Sequence, residues 1–183
     1  QENVSHIKED SCESPPSTGP SAGGPVPKVE FRDMDFVYSG AKAPALSGIS
    51  FKAMPGQTIG VIGGTGAGKT TLVNLIPRFY DADKGQVLVD GMDVREYSLK
   101  HLRNGVGMVL QKNVLFSGSI EENLRWGAEE ASMEELRQAA DSAQADGFIT
   151  AFSKGYQSEI DQGGSNVSGG QKQRLCIARA LLK

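Results

Sequence analysis

The sequence predicts an α/β protein, and three observations support this fold class. An apolar run at residues 58–62 leads directly into a glycine-rich loop at 63–68, and a helix with one apolar face follows the loop. Other short apolar runs alternate with helical patterns, and a separate, mostly helical stretch covers about 119–153. Strands that mix with helices along the chain in this way are typical of α/β folds.

The first two predicted strands lie before the glycine-rich loop. Residues 28–38 alternate apolar and polar side chains, with a break near 33–35. Residues 49–53 form a second short strand, and the Pro55-Gly56 pair then turns the chain.

Three further strands are predicted from continuous apolar runs. Residues 58–62 (TIGVI) have the pattern of a buried parallel strand. Residues 86–89 (QVLV) form a strand that the Asp90-Gly91 turn closes. Residues 106–110 (VGMVL) form the last strand, which ends at Gln111.

Two helices are marked by their spacing and their caps. One begins at Gly68 and is expected to bend or end at Pro77. Its apolar face has the spacing i, i+3, i+4, i+7 and comprises Leu72, Leu75, Ile76 and Phe79. The other begins at Ser132, where Glu135 three residues later completes a capping box.

The first 27 residues differ in composition from the rest of the chain. They hold five of the eight prolines, with serine and glycine between them (SPPSTGPSAGGPVP). Such a segment buries too little surface to offset its entropy loss on ordering, so residues 1–27 are predicted to be a flexible linker. The whole chain of 183 residues is 38% hydrophobic, which suits one globular domain over residues 28–183.

Charge and apolar patterning disfavour several classes of protein. Residues 28–183 carry 18 basic and 18 acidic side chains, so nucleic acid is not expected as a partner. No run of 18 apolar residues predicts a membrane span, and no signal sequence is recognisable. Cys12 and Cys176 lie too far apart for a disulfide scaffold and indicate reduced thiols. Because the chain begins with Gln1 and stops in a predicted helix, we expect it to be part of a longer polypeptide.

The glycine-rich loop carries the strongest chemical signal. Its sequence, GGTGAGKTT, matches the pattern G-x-x-x-x-G-K-[ST]. A compact loop can hold a triphosphate only by turning many backbone N–H groups inward, and glycine permits the conformations that this needs. The helix that follows adds its positive N-terminal dipole. The residues predicted to contact nucleotide are Gly63, Gly64, Thr65, Gly66, Ala67, Gly68, Lys69, Thr70 and Thr71.

Two side chains of this loop have specific predicted roles. Lys69 is expected to reach the β- and γ-phosphates, and the hydroxyl of Thr70 is expected to ligate Mg²⁺. No Asn-Lys-x-Asp motif for guanine is present, which favours adenine or loose base selectivity.

A second glycine motif, Ser168-Gly169-Gly170-Gln171, precedes a helix with an apolar stripe. Ser168 suits the N-cap position, and the glycines leave backbone N–H groups uncovered. From helix geometry alone, this pattern favours a glycine-flanked helix start that binds nothing.

Together and in this order, the two motifs resemble those of the nucleotide-binding domain of ATP-binding cassette (ABC) transporters. The resemblance covers residues 28–183. It implies a P-loop NTPase fold of the ABC ATPase type, C-terminally incomplete, with an antiparallel β subdomain and a helical subdomain over about 119–182. It also implies that Ser168, Gly169, Gly170 and Gln171 face the γ-phosphate of an ATP bound to a second domain. Two domains would then pack head to tail around two composite sites.

Other positions gain a role only from this resemblance. Tyr38 alone is an ordinary strand tyrosine, but the family places an aromatic residue here that stacks on adenine. Gln111 matches the glutamine that contacts Mg²⁺ and the attacking water, and with Lys69 it is a predicted catalytic residue. The segments 112–124 (KNVLFSGSIEENL) and 161–164 (DQGG) resemble those that dock transmembrane helices in exporters. Gln162 replaces the more usual Glu, and Val167 replaces the usual Leu.

The resemblance also implies that parts of the family's domain are missing. After the signature helix, the family has a strand that ends in Asp, then a catalytic Glu and later a switch His. His6 and His101 both lie before the signature and cannot fill that last role. The chain alone is therefore expected to be inactive. A strand beside the glycine-loop strand is also missing, so exposed apolar surface and poor solubility are expected.

The favoured function is the ATP-binding and ATP-hydrolysing motor of an ABC exporter. It would lie at the cytoplasmic face of a membrane, fused to the transmembrane domain of the same polypeptide. A soluble ABC-type ATPase is one alternative, although only 56 residues separate Gln111 from Ser168, without a heptad run. A degenerate, non-hydrolysing half of a heterodimer is another, although both glycine motifs are intact.

Overall fold

The computed structural model describes residues 25–183, so most of the predicted linker at 1–27 lies outside the described residues. The chain forms two compact units. The first ends at Arg103, and the second runs from Asn104 to Lys183.

The first unit is built on a four-stranded antiparallel sheet in the order β2-β1-β3-β4. This arrangement agrees with the predicted antiparallel β subdomain. Helix α1 follows the glycine loop, and helix α2 comes at the end of the unit. The elements are β1 (Val29–Phe36), β2 (Leu46–Ala53), α1 (Lys69–Leu75), β3 (Lys84–Val89), β4 (Met92–Asp93) and α2 (Leu99–Asn104).

Backbone turns in this sheet fall where the sequence predicts them. The register of β1 against β3 shifts between Arg32 and Asp35, and Asp33 has φ 43°. This irregularity confirms the predicted break at 33–35. The β3–β4 hairpin turns at Asp90 and Gly91, with φ 49° and 81°, as expected of a two-residue turn of type I′.

One face of the sheet packs against α1 and α2 to form the core of the first unit. Phe31, Met34 and Phe36 of β1 meet Leu75 of α1 and Leu102 of α2, and all five are buried. These residues alternate along β1 apart from the break, because successive side chains of a strand point to opposite faces. The core therefore fixes α1 against the sheet.

The second unit is mainly helical and contains one short strand pair. Its helices enclose a core that includes Leu115, Ile120, Leu136, Ile149 and Leu175. The elements are β5 (Gly118–Ser119), α3 (Ile120–Arg125), α4 (Met133–Ser142), α5 (Asp146–Ala151), β6 (Glu159–Ile160), α6 (Gly169–Leu181) and two 3₁₀ turns at Gly155–Gln157 and Gln162–Gly164.

Serine caps start three of these helices. The predicted capping box of Ser132 and Glu135 is confirmed at the start of α4. Ser119 begins α3 with a second capping box that the sequence analysis did not identify. Ser168 caps α6 in the same way, with Gln171 as its partner. Each box satisfies two backbone donors that a helix start otherwise leaves unpaired.

Two of the five predicted strands are wrong. Residues 58–62 and 106–110 are irregular, and no strand within residues 25–183 pairs with either segment. A strand is stable only when a neighbour takes its hydrogen bonds, so the apolar pattern alone cannot form one. The side chain of Ile62 is 98% exposed and that of Leu110 is 53% exposed. This exposure agrees with the apolar surface expected from the sequence.

The predicted apolar face of α1 also needs one correction. The helix ends at Leu75, two residues before Pro77, so Ile76, which is the C-cap, and Phe79 both lie outside it. The side chain of Phe79 is 41% exposed. The guanidinium of Arg103 lies over its ring, 5.2 Å from the ring centroid. Pro77 thus ends the helix rather than bending it.

Gly85 in β3 offers a test of the β1–β3 pairing. Its φ is 73°, and a Cβ there would come closer than van der Waals contact to the carbonyl oxygens of Arg32 and Asp33. Gly40 has φ 78° with open space around it. We expect Gly40→Ala to lower the free energy of unfolding by about 1–2 kcal/mol, and Gly85→Ala to lower it by ~1–3 kcal/mol more. Urea unfolding of both variants measures this, and equal losses would contradict the described pairing.

Candidate nucleotide-binding site

The glycine loop presents an open row of backbone donors. Residues 63–67 are exposed, and Gly66 has φ 81°. Within the described chain, only Ala67 of the loop donates its N–H to another residue, to the carbonyl oxygen of Gly64 at 3.3 Å. The remaining N–H groups of the loop are available to an anionic ligand.

Lys69 lies over this loop. Its ammonium donates to the carbonyl oxygens of Gly63 and Gly64, each at 2.7 Å. The charged Nζ therefore sits beside the loop's free donors, where a phosphate oxygen would compete with the two carbonyls. The loop conformation thus places the ammonium of Lys69 at the glycine loop.

Gly68 connects the loop to α1 and leaves no room for a side chain. It is the N-cap of α1 with φ 79°, and a Cβ would lie 2.8 Å from both the Ala45 oxygen and the Leu46 Cδ2 atom. No side chain caps α1. The N–H groups of its first turn therefore form no hydrogen bond to a capping side chain.

The two threonines of the motif have different surroundings. Thr70 is exposed, and no hydrogen bond of its hydroxyl is found to any residue of the range 25–183. Thr71 is buried, and its Oγ1 lies 2.9 Å from the hydroxyl oxygen of Tyr38. Thr70 is therefore free to meet a ligand, whereas the hydroxyl of Thr71 is held by Tyr38.

Tyr38 lies two residues beyond the end of β1. Its side chain is 39% exposed although its hydroxyl is bonded to Thr71. Its ring meets Phe36 and Tyr80 edge to face, with centroids 4.8 and 5.4 Å away. The first unit therefore brings the predicted base-stacking residue next to the helix that starts at the predicted phosphate loop.

The second motif lies in the second unit, at the start of α6. Ser168 Oγ accepts from the N–H of Gln171 at 3.2 Å, and the Gln171 side-chain oxygen accepts from the N–H of Ser168 at 2.9 Å. Gly169 and Gly170 are exposed. The hydroxyl proton of Ser168 and the glycine N–H groups remain able to donate to a ligand.

Gln111 lies in the same unit as the second motif. It is exposed in the irregular chain that follows residues 106–110. Gly107 allows this chain to lie close to α6, because a Cβ there would lie 2.7 Å from the oxygen of Ala180.

The segment after Gln111 is tied to α6 by a buried polar network. Asn123 accepts from the N–H of Phe116 at 2.9 Å and donates to the oxygen of Phe116 at 2.8 Å. Arg179 of α6 donates to the main-chain oxygen of Asn123 at 2.9 Å and to its side-chain oxygen at 3.1 Å. Burial lowers the pKa of the Arg179 guanidinium. The sequence analysis missed this network.

Exposed aromatic side chains lie beside the network. Phe116 stacks on Trp126 with ring centroids 4.6 Å apart, and the guanidinium of Arg179 covers Phe116 at 5.7 Å. The Trp126 side chain is 65% exposed. Nearby, burial raises the pKa of the Cys176 thiol, which favours its neutral form.

The described residues contain neither a membrane-spanning helix nor a cluster of metal-ligating side chains. No helix within residues 25–183 is both long enough and apolar enough to cross a bilayer. No cluster of three or more His, Cys, Asp or Glu side chains suited to a metal ion occurs in that range.

The antiparallel sheet, the glycine loop and the uncapped start of α1 are typical of a nucleotide-binding domain of the phosphate-loop class. Residues 46–183 match the family described as ABC transporter. The chain belongs to the ABC transporter family. Its fold is that of an ABC ATPase, as predicted, and it resembles the solved structure of a bacterial Atm1-family ABC exporter with ATP bound. That likeness has a TM-score of 0.83 and 35% identity, and it covers 97% of this chain and 30% of the other.

Individual relatives are named as an export protein and a flippase. The chain is 49% identical over 155 residues to a Beta-(1-->2)glucan export ATP-binding/permease protein of Rhodopseudomonas palustris, covering 85% of this chain and 26% of that protein. It is 43% identical over 157 residues to an ATP-dependent lipid A-core flippase of Hahella chejuensis, covering 85% and 27%. The chain thus spans about a quarter of the length of these relatives.

The cap of α6 predicts a stability change that can be measured. Replacing Ser168 with alanine removes one side-chain acceptor from the first turn, so we expect Ser168→Ala to lower the free energy of unfolding by about 1 kcal/mol. Ser132→Ala is a matched control, because it removes the same kind of capping box from α4. Thermal unfolding of both variants tests the caps. An unchanged midpoint for Ser168→Ala would contradict the described start of α6.

Proposed function

We propose that this chain is the ATP-binding motor domain of an ABC exporter and hydrolyses ATP as part of a complete pair of domains. The observation that carries this proposal is the glycine loop, whose free N–H groups and Lys69 ammonium converge at the uncapped start of α1. Such a site suits a phosphate chain, because both the N–H groups and the helix dipole favour negative charge. The family and the names of the relatives support export as the work to which hydrolysis is coupled.

The phosphates would bind along residues 63–71. In this proposal the loop N–H groups hold the β- and γ-phosphate oxygens, and Lys69 exchanges its two carbonyl partners for phosphate oxygens. Thr70 would hold Mg²⁺, because it offers an exposed side-chain oxygen and Mg²⁺ prefers oxygen ligands. When bound, Mg²⁺ neutralises charge that develops on the transferred phosphoryl group.

The adenine ring would stack on Tyr38. The exposed part of this side chain supports the assignment, as does its bond to Thr71 on the helix that begins at the phosphate loop. A base can stack on the flat apolar face of an aromatic ring without forming a hydrogen bond to it.

The second motif would act on a nucleotide held by another copy or a related domain. Ser168, Gly169, Gly170 and Gln171 form a helix start with exposed donors and no acidic residue in its first turn. Such a surface is suited to a γ-phosphate that another domain presents. The proposed partner is therefore a second nucleotide-binding domain, packed head to tail, with ATP between the two.

The surface after Gln111 would receive the membrane domain. Phe116 is an exposed aromatic residue on the segment 112–124 that is predicted to dock transmembrane helices, and its ring stacks on the exposed ring of Trp126 just after that segment. Exposed apolar patches of this kind mark protein interfaces. The proposed location is the cytoplasmic face of a membrane, with the transmembrane domain in the same polypeptide.

The role of Lys69 gives a direct test of nucleotide binding. We expect Lys69→Met to weaken ATP binding at least about tenfold, because it removes a charged donor to the phosphates. Lys100→Met is the control, since Lys100 is an exposed lysine on α2. Equilibrium titration of the 183-residue chain with Mg-ATP measures both. Equal affinity for the Lys69 and Lys100 variants would refute the proposed phosphate site.

The exporter assignment can be tested on the source gene. We expect the reading frame before this chain to encode several apolar stretches of about 20 residues. After the chain we expect an apolar strand that ends in Asp-Glu, and later a histidine. A replaced Glu would instead indicate a degenerate site, and a frame without apolar stretches would remove the proposal of a fused exporter.

A further inference from the structure

We propose that Tyr80 is a positioning residue that holds the ring of Tyr38 in the orientation used for base stacking. This inference rests on the proposed function, in which Tyr38 stacks on adenine. It concerns a residue outside both glycine motifs, 42 positions along the chain from Tyr38.

The side chain of Tyr38 is restrained at more than one point. Its hydroxyl is fixed 2.9 Å from Thr71 Oγ1, and its ring meets Phe36 at 82° and Tyr80 at 84°. Phe36 is in β1, so it and Tyr38 belong to one local segment. Tyr80 is therefore the aromatic contact that comes from elsewhere in the fold.

Tyr80 is itself held in place. Its ring lies 5.3 Å from that of Phe36 and packs against the core of the first unit. Two residues earlier, the buried Arg78 donates to Asp81 at 2.7 Å, and its oxygen accepts from Arg103 at 3.0 Å. These bonds fix the turn after α1, so the ring of Tyr80 is held in place where it contacts the ring of Tyr38.

The proposed base and phosphate sites are both connected to α1. Lys69 and Thr71 lie in the first turn of α1, and Tyr80 follows its end. A ring already fixed in its bound orientation loses little freedom when a base stacks on it. Without Tyr80, ordering Tyr38 would reduce the affinity for ATP about two- to tenfold.

The experiment compares a nucleotide with a probe that has no base. The 183-residue chain and its variants are titrated with Mg-ATP and, separately, with inorganic tripolyphosphate. The variants are Tyr80→Leu, Tyr80→Phe and Tyr38→Leu. Phe51→Leu is the matched control, because Phe51 is a partly buried aromatic of the same unit that stacks on Phe31.

We expect Tyr80→Leu to weaken ATP binding about two- to tenfold without changing the affinity for tripolyphosphate. Tyr80→Phe should retain the affinity of the original chain, because the contact is between rings. The Phe51 control should change neither affinity. An equal loss for both probes, or no loss for either, would overturn the positioning role of Tyr80.

The Tyr38 variant distinguishes a failure of the inference about Tyr80 from a failure of the proposed stacking role of Tyr38. If Tyr38→Leu weakens ATP binding and Tyr80→Leu does not, only the inference about Tyr80 is wrong. If Tyr38→Leu leaves the ratio of the two affinities unchanged, the stacking role of Tyr38 fails, and the inference fails with it. If the unaltered chain binds neither probe, the proposed phosphate site itself is wrong.

Discussion

The close contact of Gly68 with the start of β2 is the constraint on which the first unit's candidate site depends. A left-handed backbone at this residue lets the chain leave the loop and enter α1 directly. The atoms of Ala45 and Leu46 occupy the space that any side chain would need. Because α1 begins at this contact, the positions of Lys69 and Thr71 follow from it. Tyr38 is then oriented through its bond to Thr71.

The two glycine motifs use the start of a helix in different ways. Helix α1 has no side-chain cap, so its first turn keeps unpaired donors for a ligand. Helix α6 has a capping box between Ser168 and Gln171, which satisfies part of its first turn in the isolated chain. In the proposed function, the first site binds ATP within one chain, and the second completes a site on another.

Local features were predicted well from the sequence, and long-range contacts were not. The turn at Asp90-Gly91 and the caps at Ser132 and Ser168 depend on residues a few positions apart, so their patterns are visible in the sequence. The strands predicted at 58–62 and 106–110 fail because pairing requires a partner that no local pattern can supply. Two sets of contacts join residues far apart and carried no recognisable signal in the sequence: Tyr80 with Tyr38, and Arg179 with Asn123. The family resemblance predicted the domain's fold and motifs, but not these supports.

The bonds between Arg179 and Asn123 have a mechanical consequence. Asn123 is bonded to both main-chain polar groups of Phe116, and Arg179 holds Asn123 through its backbone and side-chain oxygens. These bonds join the main chain of Phe116 to the C-terminal half of α6 through one side chain, Asn123. A displacement of Phe116 would therefore strain or break bonds that end on α6, so the exposed aromatic surface and this helix are mechanically connected.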